Sequence, residues 1–570
     1  MTLTLLALGF ILLLVTAYRL YGTWVARQFQ LDDSRSTPAN QVNDGVDFVP
    51  TRPFYLFGQH FSAIAAAGPI AGPILACQTF GWLPCLLWIG LGVVLIGAVH
   101  DFTALAASVR HGATSIAEIT REHLGGNAGR AMMGFIWIAL LYVIVAFADI
   151  TAGTFVAGSE ELRAATVSFN PGGAVAAASV MYLGLSVLLG LVQRYLKPPL
   201  WLVTLIFVPA AFALSWVGTM TSNLFLLDHK TWGVMIILYC GIASMVPVWA
   251  LLQPRGYLGG FILYSALALG VIGVLFGGYE IKQPRFTSFD MGGMTGMLFP
   301  FLFVTIACGA CSGFHGLVCS GTTSKQVDRE SQIRPVGYGG MLAEGFVALI
   351  ALVTIMIVAP EMSRGKAPGT IYGNGIGQFL TLIIGQDKLA FAVTFGAMAF
   401  STFVFDTLDV CTRLGRYIVQ ELFGWRGRVG ALMGTMLTMA LPLYFILFAP
   451  PNSWSKFWTL FGASNQLLAA LTLLSITVWL YQARQRIAFT LWPMIFVLVI
   501  TLWALITLVI GNLRLTKIGA GQFDIELLNA ISAAVLVLLA LYLAILALVR
   551  IRTDRQRDTL VPPHLAESLE

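Results

Sequence analysis

Charge is scarce in this chain. Asp, Glu, Lys and Arg make up 11% of its 570 residues, against roughly 25% in soluble domains. With 58% hydrophobic residues and a mean hydropathy of +0.82, a soluble domain on a single anchor is excluded, and the chain reads as a polytopic membrane protein. Cysteine is also sparse. Cys77, Cys85, Cys240, Cys308, Cys311, Cys319 and Cys411 all lie in or beside apolar segments, so no disulfide framework follows. There is no GxxxxGK[ST] loop to cradle nucleotide phosphates, and no polar stretch long enough for a soluble catalytic domain. The first 18 residues lack a basic n-region and a small-residue cleavage site, so they read as a retained helix and not a signal peptide. The net charge of +6 would suit nucleic acid, but the Lys and Arg sit in short loops between apolar segments, as membrane topology demands. No nucleic-acid partner is expected.

What is present instead is a series of fifteen apolar segments. The second covers 58–77, the seventh 231–252, the ninth 296–313 and the eleventh 387–405. Long loops are expected at 21–57 on the inside and at 278–295 and 360–386 on the outside. An odd number of spans puts the termini on opposite sides. With the N-terminus outside, roughly two-thirds of the 33 Lys and Arg fall in inside loops, which predicts a periplasmic N-terminus and a cytoplasmic C-terminus.

The segment at 58–77 reads GQHFSAIAAAGPIAGPILAC. It is long enough to span, which takes about 20 residues, yet Pro69 and Pro73 lack the N–H a helix interior needs. Gly68 and Gly72 allow close backbone approach. In hydrocarbon an unsatisfied backbone group costs several kcal/mol, so such a break persists where protein, water or ligand satisfies it. A Pro-kinked structural helix is the plain alternative; a discontinuous helix at a substrate site is the reading preferred here. Segment seven carries Gly241, Ser244 and Pro247 mid-span and runs in the opposite direction. Two interrupted spans of opposite sense, five apart, point to an inverted repeat with a midplane site. The expected units are an N-terminal helix and cytoplasmic loop (1–57), a first repeat (58–218), a second repeat (231–425), further C-terminal helices (429–549) and a cytoplasmic tail (550–570).

Each ionisable residue within a span needs a reason, since a mid-bilayer charge costs about 2.5–3.5 kcal/mol on insertion scales. His60, His100, Asp101, Asp149, His315, Glu344, Asp406 and Asp409 qualify. Asp149 is the deepest and is read as an ion or proton site, or alternatively as one half of a helix-to-helix hydrogen bond. His100 and Asp101 are adjacent, point about 100° apart on a helix and need not meet. Asp409 and Arg413 are spaced to pair on one helical face. In ACGACSGFHGLVCSGTTSKQ, at 307–326, Cys308, Cys311, His315 and Cys319 share one stripe. A straight helix spreads them over about 16 Å, too far for one tetrahedral ion; neither a metal nor another cofactor is expected. Ser312 and Ser320 supply oxygens there.

Together GQHFSAIAAAGPIAGP, GAVHDFTALAASVRHGATSIAEI, PVWALLQPRGYL, ACGACSGFHGLVCSGTTSKQ, TLDVCTRLGRYIVQEL and FGASNQLLAALTL resemble the carbon starvation protein A family, over residues 58 to about 475. The resemblance implies a bacterial inner-membrane transporter linked to peptide uptake and, in some members, pyruvate–proton symport. It implies the five-plus-five inverted repeat of the amino acid–polyamine–organocation superfamily, of the leucine-transporter type. In that family the positions of Cys311 and Cys319 are usually other small residues, and its long members exceed this chain.

The expectation is therefore an all-α polytopic membrane protein of about fifteen transmembrane helices, an inverted repeat with extra helices. It would act not as an enzyme but as a secondary transporter of pyruvate or a short peptide, coupled to protons; a membrane-embedded enzyme or channel is the alternative. Substrate would meet His60, Gly68, Pro69, Gly72, Pro73, Ser244, Ser312, His315 and Ser320. Asp149 is the first choice for proton coupling, with Glu344, Asp101 and Asp409 behind it. The partners expected are the small-molecule substrate, the coupling proton and the lipid bilayer.

Overall fold

The computed structural model describes residues 3–45, 47–156, 169–450, 453–516 and 524–560; the expected tail beyond residue 560 lies outside them. Among the described residues the regular structure is helical, apart from two isolated bridges. Twelve helices are long and apolar enough to cross a membrane, or thirteen if one bent pair counts as a span.

The chain opens with α1 (Leu3–Arg19). The bent pair α2 (Pro53–Ile64) and α3 (Gly68–Phe80) follows, then α4 (Trp82–Arg110), the short amphipathic α5 (Ile116–Leu124) and α6 (Gly126–Val156). Next come α7 (Pro171–Tyr195), α8 (Leu200–Met220), α9 (His229–Met245) and α10 (Leu252–Phe276). A second interrupted element is α11 (Leu298–Thr305) with α12 (Gly313–Gly321), followed by α13 (Gly339–Met356), α14 (Pro368–Ile384) and α15 (Leu389–Phe423). The chain ends with α16 (Gly427–Phe448), α17 (Trp454–Gln482), α18 (Ala488–Leu515) and α19 (Ile525–Leu560). Prolines start α2, α7 and α14, where a missing N–H costs nothing. Nearly every residue of α17 is buried, which makes it the central post of the bundle.

Three expectations about the backbone are corrected. The break in the second span falls at 65–67, one step before the Gly-Pro pairs: Ala65 leaves the helical region, and Pro69 then lies in the first turn of α3. Only Pro73 is internal to a helix. Segment seven is not interrupted. Its α9 runs unbroken to Met245, and Pro247 sits in the turn that follows, because Gly241 and Ser244 are tolerated when they pack against Met439 and Thr435. The second interruption is in segment nine, where residues 306–312 separate α11 from α12. The third correction is to the expected loop at 360–386, which contains α14. Gly369, Gly373 and Gly377 gave that stretch a loop-like composition. In the fold they let α14 lie against Phe400, Ala397 and Val393 of α15.

The two interrupted elements run antiparallel. Thr51, before α2, donates its N–H to Gln326, beyond α12 (3.0 Å). They cross at their breaks. A Cβ on Gly72 would stand 2.7 Å from the Thr305 carbonyl oxygen, and one on Gly68 would collide with Cys308. Each broken element is followed by a helix with a π-helical turn, Val93–Gly97 in α4 and Arg334–Tyr338 ahead of α13. The two turns face each other, and Tyr338 donates its hydroxyl to the Val94 carbonyl (3.1 Å).

Candidate functional site

A broken helix leaves backbone carbonyls and N–H groups without helical partners, and in a membrane each must be satisfied. At the end of α11 three carbonyls are met by side chains. Gln466 donates to Phe303 (2.9 Å), Trp458 to Thr305 (3.1 Å) and Trp88 to Ile306 (3.1 Å). At the start of α12 the Phe314 N–H donates to Asn465 Oδ1 (2.9 Å), while Asn465 Nδ2 reaches Cys308 Sγ (3.2 Å) and Ser312 Oγ (3.1 Å). Asn465 thus pins both sides of the break from α17. The start of α3 has no such plug: its N-cap, Ala67, supplies no side-chain cap.

Beside this crossing lies a chain of buried ionisable groups. His100 Nδ1 is 2.7 Å from Asp101 Oδ1. Asp101 Oδ2 is 2.8 Å from His315 Nδ1, and His315 Nε2 is 2.9 Å from Glu344 Oε2. All four side chains are at most 1% exposed. His315 comes from the first turn of α12, Asp101 from the turn after the π segment of α4, and Glu344 from α13. His100 and Asp101, which by helical spacing need not meet, do meet through Nδ1 and Oδ1. An imidazole facing carboxylates through both nitrogens donates to both only as imidazolium. With Asp101 and Glu344 ionised, the trio carries a net charge of −1, and one further proton makes it neutral. Neither Glu344 oxygen makes a hydrogen bond among the described residues; Oε2 faces His315 Nε2 as a close charge contact. Glu344 is one helical turn from Ala348, whose Cβ would be 2.8 Å from a Cβ on Gly309 in the break.

The other expected site residues divide. His60 is near the cluster: its Nδ1 is 2.9 Å from Thr323 Oγ1, and its ring lies against Gly340, one turn before Glu344. Gly68, Pro69, Gly72 and Pro73 are buried on α3, and Ser312 is in the break. Ser320 lies at the far end of α12 and accepts the Ile116 N–H of α5 (3.3 Å). Ser244 is away from the crossing, bonded to Thr435 of α16 (3.0 Å). Asp149 stands apart as well. Its Oδ1 is 3.3 Å from Nε2 of His229, at the start of α9.

Asp409 does not pair with Arg413. It binds Arg255, which also holds Asp406 (Nε to Oδ1, 2.6 Å) and the Tyr239 hydroxyl (2.9 Å). Arg255 lies just beyond the seventh apolar segment, where sequence alone makes it a loop residue, yet its side chain is fully buried, because the first turns of α10 are already inside the bundle. Arg413 donates instead to the carbonyls of Ala243 and Val246 (2.7 and 2.6 Å), closing the C-terminus of α9. Sequence reasoning missed Arg255, Trp88, Trp458 and the role of Asn465. The Asn465–Gln466 pair inside an apolar run was the available signal.

The family model described as carbon starvation protein CstA matches residues 1–365 and 362–504. A peptide transporter CstA of Campylobacter jejuni is 33% identical, over 85% of this chain and 77% of its own. The Bacillus subtilis peptide transporter CstA is 31% identical, over 94% of each. The pyruvate/proton symporter BtsT of Escherichia coli is 30% identical, over 86% of this chain and 79% of its own. Among solved structures, the Eremococcus coleocola manganese transporter aligns at 14% identity and a TM-score of 0.46, covering 90% of this chain and 99% of its own. From its family match and these relatives, the chain belongs to the carbon starvation protein CstA family.

Proposed function

We propose that this protein is a secondary active transporter of the bacterial inner membrane that imports a small carboxylate, pyruvate or a short peptide, by proton symport. The observation that carries the reading is the crossing of two antiparallel broken helices at Gly72 and Thr305, next to the buried Asp101–His315–Glu344 chain. At the start of α3 Pro69 has no N–H, and those of Ile70 and Ala71 donate to the Ala67 carbonyl, so the Gly68 N–H and the positive end of the helix dipole are what that start offers an anion. An anion entering an inside-negative cell is opposed by about 2.3 kcal/mol per charge per 100 mV, so accumulation needs a co-transported cation. A sodium ion would take carbonyl oxygens, and those ending α11 are already bonded to Gln466, Trp458 and Trp88. The His–carboxylate chain takes a proton. The transporters among its relatives support the same reading, and no catalytic role is assigned to the chain.

The order of elements supports two repeats of five spans. The first would start at α2 and comprise α2/α3, α4, α6, α7 and α8. The second would start at α11 and comprise α11/α12, α13, α15, α16 and α17. Each unit has a broken helix, then a helix with a π turn, then a short non-spanning helix (α5 or α14) before its third span. The second repeat thus begins at Leu298, later than the 231 expected from spacing. We further assign the N-terminus to the periplasm and the C-terminus to the cytoplasm, from the distribution of Lys and Arg.

Uptake of labelled pyruvate and of a labelled dipeptide into proteoliposomes tests the function. One of the two should accumulate under an imposed pH gradient, inside alkaline, and equilibrate without it. Accumulation that follows a sodium gradient, or none of either substrate, defeats the proposal.

A further inference from the structure

At the end of the bundle expected to be cytoplasmic, two histidines outside the crossing point their Nε2 atoms at one another. His111, which caps α4, and His123, on α5, have these atoms 2.9 Å apart. The proton on each ring is fixed by what the other nitrogen touches. His111 Nδ1 lies 2.6 Å from the Ala107 carbonyl oxygen, which only accepts, so Nδ1 carries a hydrogen. His123 Nδ1 lies 2.6 Å from Oε1 of Gln482. That amide is oriented in turn by its Nε2, which donates to Asp554 Oδ2 (2.9 Å). Both neutral imidazoles therefore present an Nε2 lone pair, and the two lone pairs converge. Such a pair holds only with a cation between the nitrogens.

A third ligand is in reach. A carboxylate oxygen of Glu122 lies within 4.8 Å of a ring nitrogen of each histidine, and this trio is the one cluster of metal-ligating side chains of that kind among the described residues. A proton shared by the two rings would leave that carboxylate without a part. We propose that His111, Glu122 and His123 bind a borderline divalent cation, of which Zn2+ is the type, with a fourth position open to water. In a tetrahedral site with Zn–N bonds of about 2.0–2.1 Å the two nitrogens stand roughly 3.3 Å apart, so the rings need only open by about 0.4 Å. The surroundings match a metal site: each histidine gives its other N–H to a carbonyl oxygen, the arrangement that orients a ligating imidazole. Trp479 stands edge-on to His111, with ring centroids 5.0 Å apart, and fixes its plane. The bound ion would tie α4 and α5 to α17 and α19 through Gln482 and Asp554. α5 is also bonded to Ser320 of α12, so the ion would stiffen the helix that carries His315.

The test is metal content and not transport. Purified protein in detergent is equilibrated with micromolar Zn2+, desalted and assayed for metal. The wild type should retain one Zn2+ per chain, and His111→Ala or His123→Ala should retain none. Gln482→Leu touches no metal and keeps all three ligands; losing the orienting partner should weaken binding about 10–100-fold. Zn2+ should also raise the melting temperature of the wild type and leave His123→Ala unmoved, which separates loss of the site from loss of the fold. Retention of Zn2+ by the histidine variants at the wild-type level overturns the proposal, and so does a wild type that retains none.

Discussion

The Nε2 atom of His315 lies 2.9 Å from Oε2 of Glu344, so the half-helix that starts after one break is paired with the span that packs on the other. This contact couples the backbone irregularity to the ionisable chain. On the proposed function, a substrate that spread or closed the crossing of α3 and α12 would change the distance between an imidazole and a carboxylate, and with it the preference for a proton.

Cys308 reports on the crossing. It is the one cysteine that is not fully buried, and it stands against Gly68 with Asn465 bonded to its sulfur. Alkylation by a small maleimide should block uptake in the wild type and spare Cys308→Ala. Saturating substrate should slow the labelling, read by mass spectrometry of the peptide. Labelling at an unchanged rate with substrate present would move the binding site away from the breaks.

Asn465 should be costly to remove. Asn465→Ala orphans the partly buried Phe314 N–H and leaves the buried Ser312 hydroxyl only its long contact to Cys308 Sγ (3.8 Å). An unsatisfied buried donor costs about 1–3 kcal/mol. The expected outcome is a clearly lower melting temperature in detergent. Asn465→Asp, which keeps the acceptor for Phe314, should lose less. Equal melting of all three proteins would show that water replaces the amide.

Much of this was legible in the sequence, for definite reasons. Gly68 and Gly72 announced a break because Gly-Pro pairs in an apolar run have few structural uses. His60, Asp101, His315 and Glu344 stood out because charge within lipid is costly. What the sequence hid was tertiary. Arg255 looked like a loop cation, since its partners Asp406 and Asp409 lie on a distant helix. The pairing of His100 with Asp101 depends on a rotamer and not on helical spacing. Ser244 and Pro247 resembled a second break because a span ending at Met245 and a span interrupted there share one composition. The true second break was visible as glycines, but its plugs, Trp88, Trp458, Asn465 and Gln466, arrive from other helices.

The Arg255 cluster yields a stability prediction. Removing one partner of a buried ion network leaves charge uncompensated, at about 3–5 kcal/mol. Arg255→Met should therefore express poorly or melt early. Because Asp409 is then the group left charged, Asp409→Asn in the Arg255→Met background should recover part of the loss, whereas at independent sites the two losses would add. Simple additivity in a double-mutant cycle of melting temperatures would dissolve the cluster as a unit.

The coupling residue is decided by comparing Glu344 with Asp149. Both are buried carboxylates with an oxygen lacking a partner among the described residues, so burial alone does not choose between them. Their neighbours do. Asp149 faces His229 near one end of the bundle, whereas Glu344 ends a chain that reaches α12 and α4 and lies one turn from the break's contact at Ala348. If substrate binds at the crossing, as proposed, Glu344 is the nearer of the two to it, so we propose it for the coupling role ahead of Asp149. With one proton per substrate, a pH gradient of one unit supports about tenfold accumulation, since 1.4 kcal/mol is a factor of ten. Glu344→Gln keeps the shape and removes the titration. It should abolish that tenfold gain while leaving exchange of labelled for unlabelled substrate nearly intact. Asp149→Asn should accumulate substrate as the wild type does. If Asp149→Asn loses the gradient response and Glu344→Gln keeps it, the proton travels beside His229 and the buried chain at the crossing is structural.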